Sequence, residues 1–77
     1  MTDSERNKLS DEIVNQRFRK RINQEDMAKF LNISVPTYRS LEKDPSKLSV
    51  DQILIISKKL EWNLLEFFLS DVLQNAI

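Results

Sequence analysis

The chain contains no cysteine, no histidine and no glycine. Each absence removes a class of chemistry. Without cysteine there is no disulfide and no thiolate metal site. Without histidine, the commonest general base and the commonest metal ligand are both missing. Without glycine, neither a phosphate-cradling P-loop nor a dinucleotide-binding fingerprint can be built. No apolar run approaches the roughly 20 residues that span a bilayer, and no secretory signal pattern stands at the N-terminus. The acidic residues form no convincing catalytic pair. Glu25 and Asp26 read as first-turn residues that favour the helix dipole. The expectation is a soluble, cytoplasmic protein that is not an enzyme and uses no cofactor and no metal.

Seventy-seven residues make one small domain. A core of that size is thin, and small scaffolds often need staples or a partner. Net charge is zero, which argues mildly against a nucleic-acid binder. The charge is unevenly spread, however. Residues 1–12 hold two basic and four acidic residues, residues 13–43 hold seven basic and three acidic, and residues 44–77 hold three basic and five acidic. The positive excess is thus confined to the middle of the chain. With 31% charged residues, such blocks also arise by chance.

Five helical patches follow one another without a long linker, an internal repeat or a low-complexity tract. The first runs from about Ser4 or Ser10 to Lys20, with Leu9, Ile13 and Arg17 four apart and Phe18 beside them. The second covers about 24–31, with Asn23 as N-cap, and the third about 35–42. Residues 43–47 read as a loop from their Asp-Pro and polar content. Ser49 caps the fourth patch, about 50–60, with Val50, Ile53, Leu54, Ile56 and Leu60 apolar. The fifth starts after Asn63, where Asn63 and Glu66 resemble a capping box. The β-branched pairs Ile13-Val14 and Ile55-Ile56 sit inside 3.6-residue patterns, so strands are not expected. The predicted fold class is all-α with five helices.

Residues 24–42, QEDMAKFLNISVPTYRSLE, carry the most information. Met27, Ala28 and Leu31 form an apolar stripe at helical spacing, and Tyr38 and Leu41 continue it after a break. Asn32 sits at the bend, and Asn tolerates a left-handed backbone better than any other residue with a side chain. Ser34 follows as an N-cap, and Pro36 falls in the next first turn, where a missing N–H costs nothing. Two short helices around a tight turn, with small Ala28 where they cross, are the signature of a helix-turn-helix.

With these residues the chain resembles the phage-repressor and Cro-like, or Xre-like, helix-turn-helix family over about residues 9–68. The resemblance is carried by Ile13 and Arg17, by Gln24-Glu25-Asp26-Met27-Ala28, and by Ser34, Thr37 and Leu41-Glu42. It continues through Ile53, Ile56, Leu60, Trp62-Asn63-Leu64 and Glu66-Phe67-Phe68. It implies a sequence-specific, DNA-binding, nucleoid-associated transcription regulator, repressor-like and homodimeric. Double-stranded DNA with a (pseudo)palindromic operator is the implied partner, with residues 35–42 in the major groove. Small stand-alone members of this layout include phage repressors, Cro-like proteins and restriction–modification controllers.

The resemblance also assigns roles. Gln24 matches a phosphate-contacting Gln at a helix N-terminus. Ser34, Val35, Pro36 and Ser40 fall on base-facing positions, and Thr37 on a phosphate-contacting or groove-facing one. Arg39 lies one residue from the Ser40 position, with an arm long enough for a phosphate or a guanine edge. Lys43, Ser46 and Lys47 occupy the loop that lies along the DNA backbone. Arg17 and Glu42 match a structural ion pair bracing the first helix against the third. The pattern departs from the family at the base-facing positions. These often carry Gln, Arg or Asn, but here they carry Ser, Val and Pro. Asn32 replaces the usual turn glycine.

Several of these residues have a plainer alternative. Arg19, Lys20 and Arg21 form either a phosphate patch or a solvated helix end. Tyr38 is read as core rather than a base-stacking ring, and Trp62 as packing between the last two helices. Residues 1–77 are taken as one domain, with 1–8 at a frayed end and 69–77 a helical extension. Leu65, Phe68, Leu69, Val72, Leu73 and Ala76 recur at helical spacing. They read as a dimer interface or as a tail folding back on its own core. A different functional class also fits the neutral charge: an antitoxin-like or adaptor module binding a protein partner.

Overall fold

The computed structural model describes residues 3–75, with the side chains of 4, 6–67, 69 and 70. Five helices appear in order: α1 (Asp3–Arg19), α2 (Gln24–Leu31), α3 (Val35–Lys43), α4 (Val50–Leu60) and α5 (Leu64–Asn75). A short 3₁₀ turn, Pro45–Lys47, lies between α3 and α4. No strand occurs among the described residues.

The helix starts follow from capping chemistry. The first N–H groups of a helix lack internal partners and are met by side-chain oxygens. Asn23 Oδ1 accepts from the Asp26 amide at 2.8 Å, and Asp26 Oδ2 accepts from the Asn23 amide at 3.3 Å. Ser49 and Gln52 make the same reciprocal pair at 3.1 and 2.9 Å. Ser34 caps α3 by accepting from the Thr37 amide at 3.3 Å, and Pro36 sits in the first turn. At α5 the box closes differently. Asn63 accepts from the Glu66 amide at 3.0 Å, but the return bond to Glu66 comes from the Asn63 side chain, not its backbone.

Among the described residues, three helices end on a left-handed residue, and none of the three is glycine. Arg21 has φ 56°, Asn32 has φ 57° and Glu61 has φ 50°. In each case the next amide reaches back to close the helix: Ile22 to the Arg17 carbonyl, Ile33 to Ala28, Trp62 to Ser57. This geometry satisfies carbonyls left open at a helix end. It costs a residue with a Cβ about 1–2 kcal/mol, and Asn tolerates it better than most.

The core is drawn from every helix. Leu9 and Ile13 of α1 meet Met27, Ala28 and Leu31 of α2, Tyr38 of α3, Ile53, Ile56 and Leu60 of α4, and Leu64 of α5. Helix α2 packs on α3 and α4, α1 packs on α3, and α4 packs on α5. Ala28, 2% exposed, is small enough for α2 to lie close to its neighbours.

Some apolar residues fall outside this core. Phe18, Val50 and Leu54 are exposed, and Leu41 is only half-buried. Helical spacing alone does not reveal how wide the covered stripe is. The 43–47 segment is more ordered than a polar loop implies. Pro45 is buried, so the 3₁₀ turn is pinned to the body of the domain. No helix among the described residues is long and apolar enough to cross a membrane.

The glycine-free helix ends carry a testable consequence. Arg21 is exposed, so Arg21→Gly relieves the left-handed strain at little cost in contacts. Part of that gain is offset by the greater freedom of glycine in the unfolded chain. Chemical denaturation should show Arg21→Gly more stable by up to about 1 kcal/mol, with Asn32→Gly nearly neutral. A clear loss of stability in Arg21→Gly would contradict the strain.

Candidate nucleic-acid interface

Helix α3 and its N-cap present a row of exposed polar side chains. Ser34, Pro36, Thr37, Arg39 and Ser40 are exposed, while Val35 is half-buried against the core. Two of the hydroxyls are engaged locally. Ser34 Oγ donates to Thr37 Oγ1 at 2.8 Å, and Ser40 Oγ donates back to the Pro36 carbonyl at 3.2 Å. Lys43 closes the helix, and Ser46 and Lys47 follow it, all exposed. The Ser46 hydroxyl donates to Asp44 Oδ1. That bond, helped by Arg6 at 3.9 Å and by Lys47, holds the Asp44 carboxyl below its ordinary range. The loop therefore presents an anion beside Lys47.

Beneath α3 lies a buried ion pair. Arg17 Nε donates to Glu42 Oε2 and Arg17 Nη2 to Glu42 Oε1, both at 3.1 Å. This parallel fork is the strongest geometry available to an arginine and a carboxylate. Each residue is only 6% exposed. A third donor, Arg17 Nη1, reaches the Ile22 carbonyl at 3.2 Å and so also holds the connection between α1 and α2. Ser10 adds a bond from α1 to the Glu42 carbonyl. Helix α1 is thereby locked to the end of α3.

The pair extends outward. Gln24 Nε2 donates to Glu42 Oε1 at 3.2 Å, and Gln24 Oε1 accepts from Arg39 Nε at 3.1 Å. These side chains line an open cleft of about 400 Å³, together with Ser10, Val14, Ser40 and Lys43. The structure thus brings Arg17, Gln24, Arg39, Ser40, Glu42 and Lys43 together. Ser34, Pro36 and Thr37 lie toward the other end of α3, and Ser46 and Lys47 beyond its C-terminus.

Tyr38 belongs to the core. It is 1% exposed, and its hydroxyl is buried without a hydrogen-bond partner among the described residues. Burial first, and the nearby Glu42 carboxylate second, push the phenol far above its ordinary value, so it stays neutral. Arg19 at the end of α1 and Lys20 and Arg21 after it are exposed. Lys20 is committed to Glu61 at 2.7 Å, and this contact holds the Glu61 carboxyl below its usual range. Trp62 is half-buried, its ring centroid 5.4 Å from that of Phe67.

On α5, Leu65 is half-buried and Leu69 is 46% exposed. Both line a shallow groove with Asn63, Glu66 and Ser70. The Phe68, Val72 and Leu73 side chains, and Ala76 altogether, lie outside the described residues.

The Gln24 bridge is the feature that sequence reading missed. Gln24 and Glu42 are eighteen positions apart on different helices, and no local spacing announces such a contact.

A short exposed helix after a tight left-handed turn, braced from behind by a buried ion pair, defines a helix-turn-helix DNA-binding domain. The helix-turn-helix family model matches residues 16–67, and the chain belongs to that Xre-like family. No match was found among curated proteins or among solved structures.

Removing one member of the buried pair strands the other without its counter-charge. Glu42→Ala should therefore lower stability by about 3–5 kcal/mol, read from denaturant unfolding at neutral pH. A loss below about 1 kcal/mol, the range of exposed pairs, would show that the pair braces nothing.

Proposed function

We propose that this DNA-binding helix-turn-helix regulator is sequence-specific and acts as a homodimer on a (pseudo)palindromic operator, in the nucleoid of the cytoplasm. The observation that carries the reading is the row of exposed polar side chains along α3, Ser34, Thr37, Arg39 and Ser40, flanked by Lys43 and Lys47. Helix α3 enters the major groove. Ser34, Val35, Pro36 and Ser40 face base edges, and Val35 and the Pro36 ring suit a thymine methyl. Gln24 and Thr37 meet the DNA at its backbone, and Lys43, Ser46 and Lys47 run along the phosphates. The Arg39 guanidinium suits a bidentate contact to a guanine edge.

Selection of bound sequences from a random DNA pool tests this. A site with two symmetric halves supports it, and enrichment of no sequence contradicts it. Affinity for the selected site should fall steeply with salt, because phosphate contacts release counterions. Arg39→Ala should weaken binding by roughly 1–3 kcal/mol and relax preference at one position. Unchanged affinity in that variant would remove Arg39 from the interface.

The zero net charge favours a second reading, an antitoxin-like or adaptor module in which a protein partner is bound first. Under that reading the pool selection fails while the fold is intact.

Dimerisation rests on α5. Leu65, Phe68, Leu69, Val72, Leu73 and Ala76 share one helical face in the sequence, and Leu69 is exposed in the single chain. A symmetric pair of such faces sets two α3 helices for half-sites about one DNA turn, roughly 34 Å, apart. Sedimentation at micromolar concentration should give a dimer, and Leu69→Asp should dissociate it with helicity retained. A wild-type monomer under those conditions would contradict the dimer reading.

A further inference from the structure

Gln24 is committed on both sides. Its carboxamide donates to Glu42 Oε1 at 3.2 Å and accepts from Arg39 Nε at 3.1 Å. Which end of the amide faces which partner is settled by chemistry. A carboxylate can only accept and a guanidinium can only donate. The amide nitrogen must therefore face Glu42 and the oxygen must face Arg39.

The anchor of this arrangement is fixed. Glu42 is buried and held by two bonds from Arg17. Gln24 is half-buried at the start of α2. A directed run of hydrogen bonds thus leads from the buried pair to an exposed arginine. An unheld arginine samples many rotamers, and ordering it on DNA costs affinity. Here part of that ordering is present before binding. The bond to Gln24 uses Nε and leaves the two Nη groups out of it, so donors remain for a guanine edge.

We propose that Gln24 is a positioning residue for Arg39, so that base preference at the Arg39 contact depends on Gln24 and, through it, on Glu42. This rests on the reading that Arg39 faces DNA. It differs from a phosphate contact by Gln24, which acts on all sequences alike.

The test uses wild type, Gln24→Met, Arg39→Ala and the double variant. Gln24→Met keeps the side-chain stem and removes both hydrogen bonds. Base preference is measured on the selected site and on its single-base variants. Nitrogen relaxation of the Arg39 Nε–H group is measured in the free protein. In wild type this group should be nearly as ordered as the backbone, and in Gln24→Met it should become mobile. Each single variant should lose roughly tenfold in preference at the same base position, and the double variant should lose no more than either. A mobile Arg39 Nε in free wild type overturns the proposal without reference to DNA. So does a Gln24→Met variant that binds every sequence more weakly but keeps the preference. If Arg39→Ala itself leaves preference unchanged, Arg39 reads no base and the proposal fails, whereas the interface reading loses Arg39 only if affinity is unchanged as well.

Discussion

A single buried carboxylate organises this domain. Glu42 lies at the end of α3, and its two oxygens receive Arg17 from α1 and Gln24 from α2. Its backbone carbonyl receives Ser10, also from α1. Helices α1 and α2 are therefore both tied to one residue of α3. Burying a charge is costly unless it is paired and its remaining sites are bonded. Both conditions hold at Glu42. Such a pair adds little net stability over well-packed apolar residues, but it is directional, and direction is what a reading helix needs.

The absence of glycine bears on the same architecture. Helix-turn-helix packing needs the chain to reverse sharply after α2, and this is done by Asn32 in a left-handed conformation. Arg21 and Glu61 make similar reversals after α1 and α4 with less suitable residues. Strain at these points is borne by the amide that closes each helix and by the core beneath it. The neutral overall charge is likewise reconciled locally. Several acids are occupied within the fold: Glu42 by Arg17, Asp44 by Ser46, and Glu61 by Lys20. Arg39 and Lys43, in contrast, stand exposed at the cleft beside α3.

Much of the fold was legible because capping and helical spacing are local. Asn23, Ser34 and Ser49 announce the starts of α2, α3 and α4, and the spans expected at 24–31 and 50–60 match the helices found. The third ends at Lys43, one residue later than expected, and the first begins at Asp3, before Ser4. What local patterns do not carry is depth. Phe18, Val50 and Leu54 are as apolar as the core residues of their helices yet are exposed, because the covering neighbour is set by the tertiary arrangement. The same holds at the interface. The polar row on α3 could be read from Ser34, Thr37 and Ser40, whereas the bridge from Glu42 through Gln24 to Arg39 joins separate helices.

If the buried pair serves direction more than stability, the two roles can be separated. The decisive measurement is DNA base preference of the double variant Arg17→Met, Glu42→Leu, taken beside its melting curve. Replacing both charges together leaves no stranded ion, so the variant should melt close to wild type. Without a carboxylate to hold Gln24, its base preference should fall even though every residue proposed to touch DNA is still present. A double variant that folds and keeps the full wild-type preference would contradict the account.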